Sequence, residues 1–233
     1  MTAPWYGTIA AFDLETTGVD VRSARIVSAC VAELDADGEV VARRDWLVDP
    51  GIEIPEGAAA IHGITTERAR AEGSPAAVAV PEIVAAVREV LDRGVGLTVY
   101  NAAYDLSLLA HEAVRHGVEP IAEPAPVVDP LIIDKQVDRY RKGKRTLELA
   151  AAHYGVALDD AHDAGADAIA AARVAQAIAR AYPRDEPLTA MQLHELQVVW
   201  AAAQQADFAA YMRRSVDPGW VSDRPAWPGG RLD

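Results

Sequence analysis

Asp13 and Glu15, followed at once by Thr16, Thr17 and Gly18, end the apolar run Ile9-Ala10-Ala11-Phe12. The run reads as a buried strand that stops in a polar turn. Strand side chains alternate between faces, so the two carboxylates project to the same side, about 7 Å apart along the chain. Like charges sharing one site near neutral pH require that one carboxyl keep its proton or that a cation lie between them. A hard divalent ion is the simpler solution: Mg²⁺ or Mn²⁺ suits carboxylate oxygens, and Mg²⁺ usually completes its shell with water and substrate phosphate. Read alone, the spacing also allows Glu15 to cap the strand or face solvent.

Two further segments carry candidate chemistry. Asn101, Tyr104, Asp105 and Leu108 fall at i, i+3, i+4 and i+7, one face of a helix that follows a short apolar strand at 97–100. An Asp on a buried stripe is costly unless it is paired or binds a metal, although a position near a helix start also favours it through the macrodipole. In His162-Asp163-Ala164-Gly165-Ala166-Asp167, five helical residues would turn the direction by about 140°, so the two ends cannot face one point on a continuous helix. His162 therefore belongs to the preceding loop, and Asp167 to the first turns of the helix. The other histidines, His62, His111, His116, His153 and His194, read mostly as surface or core residues.

The elements that must position these groups can be read in order. Runs at 26–34 and 40–48, joined through Asp35-Ala36-Asp37-Gly38, form an antiparallel meander with the first strand. A loop carries Ile61-His62-Gly63-Ile64-Thr65, and Thr65 or Thr66 caps a short helix to about Ala71. Pro81 fits the first turn of a helix reaching about Asp92, with Ile83, Val84, Val87, Val90 and Leu91 as its buried stripe. The segment from Asn101 is helical until Gly117, Val127-Val128-Asp129 is a short strand, and a helix follows to about Tyr140. Thr146 starts another helix that Gly155 ends. Alanine-rich residues 164–181 form a helix suited to close packing on a sheet, and a second long helix spans 189–214. Strands first as a meander, then alternating with helices, give an α/β architecture with a mixed five-stranded sheet. Residues 218–233 have no periodicity and read as extended, wrapped over the surface or partly disordered.

With 51% hydrophobic and 24% charged residues, the chain of 233 residues has a soluble globular composition. No apolar stretch is long enough for a membrane span, and neither a transmembrane helix nor a signal peptide is supported, so the expectation is a cytoplasmic protein without membrane partners. Cys30, the single cysteine, lies in an apolar strand pattern and reads as a packed thiol. A net charge of −13 opposes nucleic-acid binding at first sight, but carboxylates that hold cations can leave the site itself positive. The one dense basic run, Arg139-Tyr140-Arg141-Lys142-Gly143-Lys144-Arg145, reads by itself as a solvated loop.

Taken together, Phe12-Asp13-Leu14-Glu15-Thr16-Thr17-Gly18, Asn101-Ala102-Ala103-Tyr104-Asp105 and His162-x4-Asp167 resemble the three motifs of the DEDDh 3′-to-5′ exonucleases. That RNase H-like group includes the proofreading (epsilon) subunit of bacterial replicative DNA polymerase, RNase T and oligoribonuclease. Ile61-His62-Gly63-Ile64-Thr65 and Gly143-Lys144-Arg145-Thr146-Leu147 resemble the polymerase-proofreading branch. The resemblance covers about residues 6–182, implying an exonuclease domain over 1–182 and a C-terminal extension over 183–233. It implies that Asp13, Glu15, Asp105 and Asp167 bind two divalent cations, Mg²⁺ or Mn²⁺, and that His162 is the general base. Two such ions stabilise the attacking and leaving oxygens of a phosphodiester, and the pKa of His suits proton transfer near neutrality. By the same resemblance, Thr16, Thr17 and Gly18 line the pocket for the 3′ nucleotide. Leu14, His62 and Tyr104 flank its base and sugar, Asn101 positions the chain, and Lys144 and Arg145 guide the backbone. The implied partner is a single-stranded 3′ end of DNA, with short RNA as the alternative substrate. The extension lies outside the resemblance and reads first as a helix packed on the core, with binding of a partner such as a DNA polymerase subunit, or dimerisation, as the alternatives.

Overall fold

The structure, a computed structural model, describes residues 4–158 and 163–232. Three long strands open the chain: β1 (Ile9–Thr16), β2 (Ile26–Leu34) and β3 (Val40–Asp49). They form the expected meander, with Ile9 opposite Leu34 on the first pair and Cys30 opposite Asp45 on the second. At the β2–β3 turn, Asp35 Oδ1 accepts from the amides of Asp37 and Glu39, both at 3.0 Å, and Gly38 supplies the positive φ of 84°.

The loop expected after β3 holds a helix, α1 (Glu56–His62), closed by Gly63 in the left-handed conformation. Then comes α2 (Thr66–Glu72), capped by the Thr65 hydroxyl, which accepts from Arg68 N. Ser74–Pro75 forms β4, which pairs in parallel with the outer edge of β3. The sheet therefore has six strands rather than five, and the additional one is only two residues long.

Helix α3 (Ala76–Asp92) starts well before Pro81, which lies inside it rather than in its first turn. The helix begins behind Pro75, and its added turn buries Ala76, Ala79 and Val80. The remaining elements are β5 (Gly96–Thr98), α4 (Ala102–Arg115), β6 (Val127–Val128), α5 (Pro130–Val137), α6 (Leu147–Tyr154), α7 (Ala164–Ala181) and α8 (Ala190–Ser215). Strand order is β4-β3-β2-β1-β5-β6, with β5 parallel to β1 and β6 parallel to β5. Helix α5 stops at Val137, short of Tyr140.

Alternation along β1 divides the interior into two cores. Ala10, Phe12 and Leu14 pack with α3 and α4, whereas Ile9 and Ala11 pack with residues of α5, α6, α7 and α8. Each large apolar side chain buried this way stabilises the fold by roughly 1.5–3 kcal/mol. Asp13 and Glu15 continue the parity of Ile9 and Ala11, so they stand on the face that α7 covers. Among the described residues, no helix is long and apolar enough to cross a membrane.

Candidate active site

The site lies at the C-terminal end of β1. One carboxylate oxygen from each of Asp13, Glu15 and Asp167 lies within 4.8 Å of the others, a spacing able to hold a cation. Asp167 reaches this point because α7 can approach the sheet closely: Ala164, Ala168, Ala172 and Ala175 are its buried contacts. The helix start is fixed by Asp163, whose Oδ1 accepts from Ala166 N at 3.0 Å. Arg43 of β3 lies across the same turn, 3.8 Å from Asp163, and a Cβ on Gly165 would come within 2.0 Å of its guanidinium.

The fourth acid, Asp105, enters from the opposite layer. It sits in the first turn of α4, only 4% exposed. Burial pushes its carboxyl up to about 8 even though the amides of Leu14 and of Asp105 itself favour the ionised form. Glu15 is likewise raised to about 8, by burial first and then by the charges of Asp167 and Asp105. Asp13 is raised by burial, and then by repulsion from Asp105, Glu15 and Asp167. Four carboxylates opposing one another's ionisation form a donor set of hard oxygens that fits divalent cations and that such ions would relieve.

The residues expected around a 3′ nucleotide are partly brought together. Tyr104 Oη, Thr16 Oγ1 and the Gly18 carbonyl lie within hydrogen-bonding distance of one another, 2.7 Å between the hydroxyls and 2.9 Å from Thr16 Oγ1 to Gly18 O, so two hydroxyl protons are shared among three contacts. Burial raises the Tyr104 phenol to about 12, so the group stays a donor. Thr17 ties the turn to the start of β2: its amide donates to Arg25 O at 3.0 Å and its hydroxyl accepts from Arg25 N at 2.9 Å. Leu14 is turned to the other face and is 6% exposed within the α3–α4 core. Asn101 is exposed and left-handed, with φ 64° and ψ 45°, immediately before α4. His62 ends α1, its Nδ1 accepting from Ile64 N at 3.2 Å. His162 lies outside the described residues.

The basic run divides. Lys142 and Lys144 are exposed, but Arg145 is drawn inward, where its guanidinium bonds Asp134 Oδ2 at 2.7 Å and the carbonyls of Asp134, Asp138 and Arg141. Arg141 pairs with the same carboxylate, and Tyr154 Oη donates to its other oxygen at 2.6 Å. These donors, despite complete burial, hold the Asp134 carboxyl below the ordinary range. The loop's backbone also meets the loop that follows β5, because Tyr100 Oη donates to Arg145 O at 2.8 Å.

Sequence reasoning missed Asp129. Its carboxylate takes the amides of Asn101 and Ala102 at 3.1 and 3.0 Å, and also caps α5 through Leu131 N at 3.0 Å. The signal was available locally, since an Asp directly before Pro130 at a helix start is a capping pattern. Its reach back to Asn101 is a tertiary matter.

A mixed six-stranded sheet flanked by helices thus carries an acidic centre at the C-terminal end of β1. Residues 10–175 match the model of the RNase T-type exonuclease family. The chain belongs to that family. It is 27% identical over 158 residues to the DNA polymerase III PolC-type of Pediococcus pentosaceus, an alignment covering 68% of this chain and 10% of that protein. The PolC-type polymerase of Clostridium perfringens is 28% identical over 166 residues, 70% of this chain and 10% of the polymerase. The chain thus spans about a tenth of the length of these relatives. Escherichia coli exonuclease I in complex with a dA16 oligonucleotide has a similar fold, with a TM-score of 0.65 at 20% identity over 87% of this chain and 45% of that one. Its complex with a dT13 oligonucleotide gives 0.62 at 19% identity, over 89% and 44%. The family match bears out the expectation of an exonuclease domain, and the structural neighbours share its fold.

Proposed function

We propose that this protein removes nucleotides from the 3′ ends of single-stranded DNA, with Asp13, Glu15, Asp105 and Asp167 holding two divalent cations, Mg²⁺ or Mn²⁺. The observation that carries the reading is the convergence of Asp13, Glu15 and Asp167 within 4.8 Å, with Asp105 close enough to raise Asp13 further. When bound, the cations stabilise negative charge on the phosphodiester and its leaving oxygen. The chain's own groups do the rest. Thr16, Gly18 and Tyr104 form one hydrogen-bonded wall beside the acids, suited to the terminal nucleotide, with Thr17 anchoring the turn behind them. His62 and Asn101 flank the base and sugar side of the substrate path, while Leu14 is buried in the α3–α4 core and backs the strand that carries the acids. His162 serves as general base, a role for which an imidazole is suited near neutrality. Lys144 guides the strand's phosphates as an exposed cation, and Arg145 shapes the loop that presents it.

The test is a 3′-end ladder on 5′-labelled oligonucleotide with Mg²⁺. Stepwise shortening is expected for the wild type and none for Asp13→Ala; a ladder identical in both would sink the proposal. His162→Ala should lower kcat by about 10²–10⁴-fold while leaving cation binding intact. Parallel DNA and RNA oligonucleotides decide the substrate, and faster turnover of short RNA would replace DNA by RNA. The PolC-type relatives favour a second reading, in which the exonuclease proofreads for a polymerase. Preferential removal of a mismatched 3′ end from a primer–template would support it.

A further inference from the structure

Trp227, near the C-terminal end of the chain and outside the segment matched by the family, donates its indole Nε1–H to Asp129 Oδ2 at 3.1 Å. That oxygen also receives Ala102 N at 3.0 Å, while Oδ1 receives Asn101 N at 3.1 Å and Leu131 N at 3.0 Å. A carboxylate offers about four lone-pair positions, so with Trp227 the set is complete in a residue only 1% exposed. The indole is held in turn: its ring lies 5.2 Å from that of His194, whose Nδ1 accepts from Val127 N at 3.1 Å. Gln197 of α8 closes the arrangement by accepting from Asp129 N at 2.7 Å and donating to Val127 O at 3.0 Å. The tail beyond Trp227 is seated on α4 itself, since a Cβ on Gly229 would come 2.9 Å from Ala103 O and from Ser107 Oγ.

The group held by Asp129 is a backbone turn with Asn101 in the left-handed region. Asparagine enters that region more readily than most non-glycine residues, and the bonds to Asp129 hold the turn there. Here the turn sets where α4 begins, and its first turn carries Tyr104 and Asp105. We propose that the C-terminal tail is a positioning strap for the active-site helix: Trp227, through Asp129, fixes the Asn101–Ala102 turn and so the placement of Asp105 against β1. The inference rests on the reading of Asp105 as a cation ligand. Trp227 is a positioning residue and touches neither substrate nor cation.

Trp227→Phe keeps a ring against His194 and removes only the donor. In the full chain, hydrogen exchange over residues 99–106 is expected to accelerate. Mn²⁺ affinity by calorimetry should fall about five-fold or more, as is common when a group supporting a ligand is lost. The kcat on a DNA oligonucleotide should fall in step while its KM stays within about two-fold. Gly229→Ala, which lifts the tail from α4 by a different contact, should reproduce the pattern. Arg213→Ala releases the tail elsewhere, at the carbonyl of Trp220, and should change none of these quantities. Unchanged exchange over 99–106 in both tail variants would overturn the strap, as would faster exchange with unaltered Mn²⁺ affinity. A wild type that neither binds Mn²⁺ nor cuts DNA would instead overturn the reading of the acidic site, and the exchange comparison would still decide whether the tail holds the turn.

Discussion

Glu15 and Asp105 hold their protons to about 8 in the folded chain, against ordinary values of 4.5 and 3.8. Between those limits the folded state binds more protons than the unfolded one, so these groups make stability fall as pH rises from about 4 to about 8. A divalent cation replaces the protons and removes the penalty. Added Mg²⁺ is therefore expected to raise Tm slightly at pH 5 and substantially at pH 8, by thermal scans at fixed ionic strength. An equal rise at both pH values would mean that the ion binds elsewhere. The acids themselves are legible in the sequence, because the spacing of Asp13 and Glu15 on a strand and the parity of Asp105 with a buried stripe are local facts. Asp129 is legible only as the cap of α5, its reach to Asn101 being tertiary, and Asp134 is not legible, since no periodicity announces its partners.

At the scale of elements, the loop between α5 and α6 is tied to the fold by a buried carboxylate rather than left to solvent. Asp134 is fully buried and takes Arg141, Arg145 and Tyr154. Asp134→Ala leaves the largely buried Arg145 guanidinium without its counter-charge, which should destabilise the protein by about 3–5 kcal/mol in urea denaturation. Loss of less than about 1 kcal/mol would mean that water or the neighbouring carbonyls suffice. The same network explains why the basic run is only half legible. Charge density in the sequence marks the loop, but which arginines face inward depends on an acid in a different helix. Helix α7 shows the opposite case: its alanine repeat at 164, 168, 172 and 175 already states that it will lie close on a sheet. Helix α1 has no buried stripe to announce it; in the fold Ala58 and Ala59 pack against the cluster around Ile54 and Ile64, and Gly63 closes its end.

For the whole molecule, a net charge of −13 leaves little long-range attraction for a polyanion. With Arg141 and Arg145 engaged internally and the exposed Arg139 paired with Asp207 at 3.6 Å, the exposed cations of the run outside an ion pair reduce, among the described residues, to Lys142 and Lys144. Binding of single-stranded DNA in the presence of Ca²⁺ should therefore depend weakly on salt. The slope of log K against log salt is expected near −1.4, from about −0.7 for each of two phosphate contacts. A slope steeper than about −4 would place a larger cationic surface in contact with the strand.

The meander, the alternation of later strands with helices and the two faces of β1 follow from side-chain periodicity within a few residues, whereas grouping Asp167 with the other acids rested on the resemblance of whole motifs. Tertiary structure alone decided that the tail reaches Asp129, that Asp134 captures Arg145, and that the sheet gains an edge strand at Ser74–Pro75. Those outcomes depend on which polar groups are buried opposite one another across distant segments, and a buried donor or acceptor must find its partner wherever folding has brought one.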